Sequence, residues 1–211
     1  MIERNVLLVR HLKTEYNNTG MIMGGKVDIG IKKDNKSMDE FVERFKVACD
    51  RFQIKQEDVV IVSSPLIRCQ ETASIMRDIM GPGANIFIDD RLQETDMGDF
   101  ADKKASDLRA KYGRSVDIWM HEPERFVFPG GESYQDVKIR VNNIKEDVLR
   151  LYKQKVVILC SHVDIIKMFI CEVEGKSFNT RRFFSVPNGS ISILSINKDS
   201  QLKIDGINVY P

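Results

Sequence analysis

The sequence lacks three features that would point to particular classes of protein: a charge excess, clustered cysteines and a long apolar run. Its 211 residues carry 32 Lys and Arg against 31 Asp and Glu, a net charge of +1. This balance gives no bulk attraction to polyanions, so we expect neither a nucleic acid nor a membrane as partner. No apolar stretch approaches the ~20 residues that span a bilayer.

Cysteine is scarce and scattered. The four thiols are far apart and include no C-x-x-C pair: Cys49, Cys69, Cys160 and Cys171. This spacing excludes a disulfide framework and a structural zinc site, and we predict no bound metal. Met1 to Asn5 lead directly into an apolar run, with no signal-peptide pattern. We therefore expect a cytoplasmic protein.

The hydrophobic pattern predicts strands that alternate with helices. Apolar runs at 5–9, 59–62, 86–88 and 156–160 predict buried strands, and amphipathic stretches lie between them. A strand at 190–196 pairs with another at 202–208, which indicates a hairpin near a sheet edge. The predicted fold is a three-layer α/β/α sandwich with a mostly parallel central sheet. We expect one domain over 1–211, with a variable lid or insertion at roughly 95–130.

Local signals place several helix starts. The predicted starts are a capping box at Ser37 and Glu40, Ser64 followed by Pro65, and Ser133. Residues 103–112 are also predicted to be helical.

Three predicted strands end directly in polar clusters. The first gives Arg10-His11, the second leads through Ser63-Ser64 to Arg68, and the last gives Ser161-His162. Ligands of open α/β sheets bind beyond the carboxyl ends of the strands, where helix N-termini also favour anions. Only three His occur in the chain. The pattern therefore predicts an anion site that contains two imidazoles.

Five motifs resemble those of the histidine phosphatase superfamily, in its phosphoglycerate-mutase-like branch. They occur in family order: RHLKTEYN at 10–17, SSPLIRCQETA at 63–73, LQETDMG at 92–98, PGGES at 129–133 and SH at 161–162. Each motif alone is weak, whereas the ordered set is specific. The resemblance implies a metal-independent phosphatase that needs no cofactor and acts on a small phosphorylated metabolite.

The resemblance also implies roles for individual residues. His11 is the nucleophile that forms a phosphohistidine, and Glu94 is the general acid and later the base. The expected phosphoryl ligands are Arg10, Arg68 and His162, joined by Asn17 and the backbone amide of Val163. Gly24 and Gly25 fall near the family's substrate-facing turn, and a plain loop is the alternative.

The sequence departs from the family pattern beside both histidines. Leu12 stands where the family has Gly, and Val163-Asp164 replace Gly-Gly. Asp164 lies one position too late for the His-Asp acid of another branch, so Glu94 remains the predicted acid. These departures leave two alternatives open: a phosphoglycerate-type mutase, and a non-catalytic relative that binds phosphate ligands. The compact length and the segment at 96–100 favour a phosphatase.

Two further features are interpreted as surface. His121 and the pair Arg181-Arg182 read as solvated side chains rather than as parts of the pocket. Sheet edges leave a homodimer open.

Overall fold

A computed structural model describes residues 4–81, 83–152 and 154–209. The strands are β1 (Arg4–Arg10), β2 (Met21–Ile22), β3 (Val59–Ser63), β4 (Asn85–Ile88), β5 (Lys103–Lys104), β6 (Val156–Ser161), β7 (Ile191–Ile196) and β8 (Leu202–Gly206). The α-helices are α1 (Asn35–Arg51), α2 (Ile67–Met80), α3 (Ala105–Tyr112), α4 (Arg114–His121), α5 (Tyr134–Arg150) and α6 (Val163–Glu174). None of the helices within these described ranges is long and apolar enough to cross a membrane.

The main sheet has six strands in the order β4-β3-β6-β1-β7-β8. Strands β4, β3, β6 and β1 are parallel, while β7 and β8 run antiparallel to their neighbours. The register pairs Arg10 with Ser161 and Ser63 with Cys160, so three predicted polar strand ends lie side by side. The mostly parallel α/β architecture and the terminal hairpin are confirmed.

The strands bury side chains on both faces because helices cover both. Leu7 and Val9 of β1 pack towards α1 and α2, whereas Val6 and Leu8 pack towards α5 and α6. This two-residue alternation divides the core into two clusters, one on each side of the sheet. The continuous apolar runs of the sequence follow from this double burial.

The predicted helix starts are confirmed at one place and corrected at two. Ser133 accepts from the Asp136 amide and forms a capping box at the start of α5. Helix α1 begins earlier than predicted, with Asp34 at its N-cap, and the Ser37 hydroxyl donates to the Asp34 carbonyl instead of capping. Helix α2 begins only at Ile67, because its N-cap residue is Leu66, whose backbone is extended.

The insertion after Glu94 differs from its prediction. Lys103 and Lys104 form strand β5, which pairs with β2, so the predicted helix over 103–112 is shortened to α3. A second short helix, α4, follows Gly113, which adopts a φ of 48°. The β2–β5 pair ties the insertion to the loop that follows β1.

Candidate active site

The carboxyl ends of β1 and β6 bring two imidazoles together. The rings of His11 and His162 lie with centroids 5.1 Å apart and planes tilted by 56°. The amide of His11 donates to the Ser161 carbonyl at 3.0 Å, which extends the β1–β6 pairing to the site. Both rings are nearly inaccessible, with 2% of His11 and none of His162 exposed. The predicted juxtaposition of these residues is present in the fold.

The His11 ring is aimed by its own backbone. Its Nδ1 lies 2.7 Å from the Leu12 carbonyl oxygen, so Nδ1 carries the proton and donates. This leaves the Nε2 lone pair available for attack. Burial, followed by the charges of Arg10 and Arg68, holds the pKa of His11 well below its usual range. The imidazole is therefore neutral at physiological pH, as a nucleophile must be.

The main chain around His11 is held by residues that are distant from it in the sequence. The His11 carbonyl accepts from the Asn188 side-chain amide at 3.1 Å and from the Gly189 amide at 3.2 Å. The Leu12 amide donates to the Thr72 hydroxyl at 3.1 Å. The roles of Asn188 and Thr72 were not predicted, although Thr72 belongs to the SSPLIRCQETA motif.

Arg68 is buried in the site and occupied by protein partners. Its guanidinium donates from Nη1 to the Val27 carbonyl at 2.6 Å and from Nη2 to the Gly24 carbonyl at 3.2 Å. Its Nε lies 3.3 Å from His162 Nδ1, which must be the acceptor. Two N–H groups of the guanidinium remain for a phosphoryl oxygen.

His162 is neutral, and both of its nitrogens contact protein. Since Nδ1 accepts from Arg68, Nε2 carries the proton and donates to the Ser64 hydroxyl at 2.8 Å. Burial, followed by the charge of Arg68, lowers the pKa of His162 well below its usual range. Direct contact with a phosphoryl oxygen would require His162 to exchange one of these partners, so that role stays a prediction.

Arg10 and Asn17 each have a hydrogen-bond donor left for a ligand. Arg10 donates from Nη1 to the Val186 carbonyl at 2.7 Å, while its Nε is buried without a hydrogen-bond partner among the described residues. Asn17 Oδ1 accepts from the Thr14 amide at 2.8 Å, which leaves its NH₂ group to donate. A buried unpaired donor costs about 1–3 kcal/mol, so an anion that accepts from it would be bound favourably.

The turn at Gly24 and Gly25 lies against the segment of the predicted acid. The Gly25 amide donates to the Thr95 carbonyl at 2.8 Å. A Cβ at Gly25 would stand 2.5 Å from the Glu94 carbonyl oxygen, and Gly24 has a φ of 59°. Only glycine permits this approach. Gly24 and Gly25 are therefore more than a plain loop, because their close approach fixes the backbone position from which the Glu94 side chain extends.

Glu94 is held in a state suited to donating a proton. Glu94 is 7% exposed, and its Oε1 accepts from the Thr95 amide at 2.9 Å. Burial, followed by the negative charge of Asp164, raises the pKa of Glu94 to about 7, against the opposing effects of Thr95, Arg68 and Arg10. A carboxyl group with this pKa can act as acid and then as base near neutrality.

Helix α6 begins at the site with open backbone donors. His162 is its N-cap residue and makes no side-chain capping bond. The first amides of the helix, that of Val163 included, therefore carry the partial positive charge that favours an anion. Val163 is partly exposed, consistent with its predicted role.

Leu12 is accommodated by its neighbours. Leu12 is buried in the core cluster of α1, with Phe41 and Phe45, and its Cδ2 lies 3.2 Å from where Gly189 would carry a Cβ. Its φ is not positive. The side chain thus fills space and causes no backbone strain.

We expect the change Leu12→Gly, which restores the family residue, to destabilise the protein by about 3–5 kcal/mol. The variant loses a buried side chain and gains backbone freedom in the unfolded state. Urea unfolding measures the change, with Ile67→Ala, at an exposed position, as the control. An unchanged urea midpoint for Leu12→Gly would contradict the packing role.

The interpretation of Arg181 as a solvated side chain is wrong. Its side chain is 15% exposed and pairs with Asp164 at 3.3 Å. Arg182 does lie at the surface, where its Nη1 donates to His121 Nδ1 at 2.8 Å. Sequence could not separate the two arginines, because Asp164 lies on another element. Among the described residues, no group of three or more His, Cys, Asp or Glu is arranged to hold a metal ion.

The chain matches one family model and is similar to several known proteins. Residues 6–208 match the family model of the histidine phosphatase superfamily (branch 1). The chain is 25% identical over 194 residues to phosphoserine phosphatase 1 of Hydrogenobacter thermophilus, covering 92% of this chain and 87% of that protein. It is 30% identical over 182 residues to the 2,3-bisphosphoglycerate-dependent phosphoglycerate mutase of Brucella melitensis, covering 82% and 83%.

A solved structure shares the fold. The alpha-ribazole phosphatase from Shigella flexneri superposes with a TM-score of 0.81 at 18% identity, over 97% of this chain and 96% of that one. At this identity the likeness concerns the fold alone.

Proposed function

Because the chain belongs to the histidine phosphatase superfamily (branch 1), we propose that it hydrolyses a small phosphate monoester through a phosphohistidine on His11. The observation that carries the proposal is that the nucleophile and the acid are both already in the protonation states that the reaction needs. His11 is neutral with Nε2 available, and the pKa of Glu94 is raised to about 7. A site that only binds phosphate needs neither a nucleophile nor a proton donor.

The reaction has two steps. In the first, Nε2 of His11 forms a bond to phosphorus while the bond from phosphorus to the ester oxygen breaks. Glu94 gives its proton to the departing oxygen, which leaves as an alcohol. In the second, the Glu94 carboxylate takes a proton from water while the water oxygen forms a bond to phosphorus. The bond from phosphorus to Nε2 breaks, which regenerates His11 and releases inorganic phosphate.

Cations stabilise the phosphoryl group as it is transferred. Arg10 and Arg68 supply guanidinium donors, and the amides at the start of α6 supply a partial positive charge. Asn17 adds an amide donor. Since the charge spreads over the equatorial oxygens during transfer, donors fixed in advance lower the barrier without reorganisation.

A screen of phosphorylated metabolites in EDTA tests the proposal. The panel includes p-nitrophenyl phosphate, sugar and nucleotide phosphates, and phosphoserine, which the name of one relative suggests. We expect inorganic phosphate to be released without added metal. No release on any substrate from mildly acidic to mildly alkaline pH, together with calorimetric binding of phosphate, would instead support the non-catalytic alternative.

The mutase alternative draws support from the similarity to the Brucella enzyme. It predicts transfer of the phosphoryl group between the 2- and 3-positions of phosphoglycerate, with little loss to water. We favour hydrolysis, and a ratio of exchange to hydrolysis well above one would reverse that preference.

A further inference from the structure

The peptide group that joins His11 to Leu12 is held at both of its polar ends. Its carbonyl oxygen, on His11, accepts from the Asn188 side-chain amide at 3.1 Å and from the Gly189 amide at 3.2 Å. Its N–H group, on Leu12, donates to the Thr72 hydroxyl at 3.1 Å. Because a peptide group is planar, hydrogen bonds at both ends fix the orientation of the whole group.

The residue after this peptide orients the His11 ring. The Leu12 carbonyl oxygen lies 2.7 Å from Nδ1 of the ring and accepts its proton. The Leu12 side chain is 3% exposed and belongs to the core cluster that contains Phe41. The next carbonyl, on Lys13, accepts from the Lys32 amide at 2.6 Å. Leu12 is therefore held on both sides of the carbonyl that orients the ring.

The Thr72 hydroxyl is fixed in the direction that the Leu12 amide needs. Thr72 is fully buried and lies in α2. Its Oγ1 donates its single hydrogen to the Arg68 carbonyl, one helical turn earlier, at 2.7 Å, a local bond that threonine can make inside a helix. The lone pairs of this oxygen then remain to accept from Leu12. One hydroxyl thus joins the peptide of the nucleophile to the helical turn that carries Arg68.

We propose that Thr72 and Asn188 are positioning residues: they hold the two ends of the peptide that follows His11, and so keep Nε2 of its ring directed at the bound phosphoryl group. The inference rests on the function proposed above. Neither residue gives or takes a proton in the two steps described there. A misplacement of the reacting groups by about 1 Å can cost on the order of 10²-fold in rate. Loss of either residue should therefore slow phosphoryl transfer more than it weakens binding.

The first test compares Thr72→Val with Thr72→Ser. Valine keeps the shape of threonine without the hydroxyl, whereas serine keeps the hydroxyl. With enzyme in excess, the rate of p-nitrophenol release from p-nitrophenyl phosphate should fall about 10- to 100-fold in Thr72→Val. The calorimetric Kd of inorganic phosphate should stay near the wild-type value. Thr72→Ser should restore most of the rate.

Thr180→Val is the matched control. The Thr180 hydroxyl also donates to a carbonyl earlier in the chain, that of Ser177 at 2.7 Å, but it lies in the turn at 178–183. This variant should react at the wild-type rate. A wild-type rate in Thr72→Val would overturn the proposal, and so would a Thr72→Ser variant as slow as Thr72→Val, since the hydroxyl would then not be the group that matters.

The second test removes the hold on the carbonyl. Asn188→Ala should slow the same step by a smaller factor, because the Gly189 amide still donates to the His11 carbonyl. Since Thr72 and Asn188 act on one peptide group, their factors should not multiply when Thr72→Val and Asn188→Ala are combined. Factors that multiply would mean that the two residues act independently, contrary to the proposal.

Nitrogen-15 NMR of the His11 ring reports its orientation without turnover. With the proton fixed on Nδ1, the two ring nitrogens give well-separated signals, which are identified by their loss in His11→Ala. In Thr72→Val the proton should exchange between the two nitrogens, so the signals should move towards each other, whereas Thr72→Ser should keep them apart. Signals that stay in place in both Thr72→Val and Asn188→Ala would show that the ring does not depend on this peptide, and the proposal would fail.

The two proposals can fail separately. If the wild-type protein forms no phosphoprotein and releases no phosphate from any substrate, the proposed function fails, while the ring signals still decide whether Thr72 orients His11. If the wild-type protein is active and Thr72→Val matches it, hydrolysis stands and the positioning role fails. Should Thr72→Val not fold, Asn188→Ala, at a partly exposed position, is used for both measurements.

Discussion

His11→Ala is expected to reduce phosphate release from every accepted substrate on the order of 10³-fold or more. The variant lacks the imidazole whose Nε2 lone pair is left free by the bond from Nδ1 to the Leu12 carbonyl, and without it no covalent intermediate forms. Residual binding of phosphate should survive, because Arg10, Arg68 and the start of α6 are untouched. Rapid acid-free quenching of the wild-type protein with labelled substrate should trap a phosphoprotein that the variant does not form.

His121→Ala is the matched control. It removes an imidazole at the surface, at the C-terminal end of α4. The turnover rate of this variant should stay within about twofold of the wild-type rate, as for an ordinary surface substitution. Equal activity of His11→Ala and the wild-type protein would remove His11 from the mechanism. A phosphoprotein that persists in His11→Ala would place the nucleophile elsewhere.

Glu94→Gln is expected to slow hydrolysis of alkyl phosphates by roughly 10²- to 10⁴-fold. Release of p-nitrophenol should fall far less, since that leaving group needs little protonation. The structural reason is that Glu94 holds a transferable proton near neutrality, where its pKa is raised to about 7. For the wild-type protein, kcat on alkyl phosphates should therefore fall as the pH rises above this value.

Steady-state kinetics on a leaving-group series measures the effect as a steeper dependence on leaving-group pKa in the variant. Equal losses across the series would indicate that Glu94 does not act as the acid. At mildly acidic pH, kcat should stay constant, because burial and the nearby guanidinium groups keep His11 unprotonated.

The same carboxyl group affects stability with a defined sign. Its pKa in the folded protein lies above the ordinary value of about 4.3 for Glu, so its contribution to the free energy of unfolding is full at low pH. That contribution is lost as the pH rises through about 7. Glu94→Gln should therefore gain stability relative to the wild-type protein as the pH rises, which urea midpoints at two pH values can measure.

The order of strands and helices could be read from the sequence because burial on both faces leaves a simple pattern. Runs such as 156–160 are apolar at every residue and end in polar side chains. The site followed from the same logic, since strand register brings Arg10 beside Ser161. Here a local pattern and the global topology are enough, and His11, Arg68 and His162 are found near one another.

What could not be predicted depends on contacts between distant elements. Helix α4 has only eight residues, of which Val116 alone is fully buried, and so short a segment gives too few turns for a periodic pattern to predict it. Arg181 and Arg182 cannot be told apart in the sequence. In the structure, Arg181 is largely buried and pairs with Asp164, whereas Arg182 lies at the surface. The capping signal at Ser37 failed because the chain already enters the helix at Asn35. None of these outcomes is encoded in nearby residues.

The position of β1 in the centre of the sheet has a consequence for folding. Residues 5–10 pair with 156–161 on one side and 4–9 with 191–196 on the other, so that every partner lies far along the chain from β1. Such non-local pairing slows folding and delays it until late segments exist. During synthesis His11 emerges well before Asn188, which lies 177 residues later in the chain, so its carbonyl gains this hydrogen-bond partner only late. Until then the His11 ring has no fixed orientation. Catalytic activity should therefore appear late, in a single step.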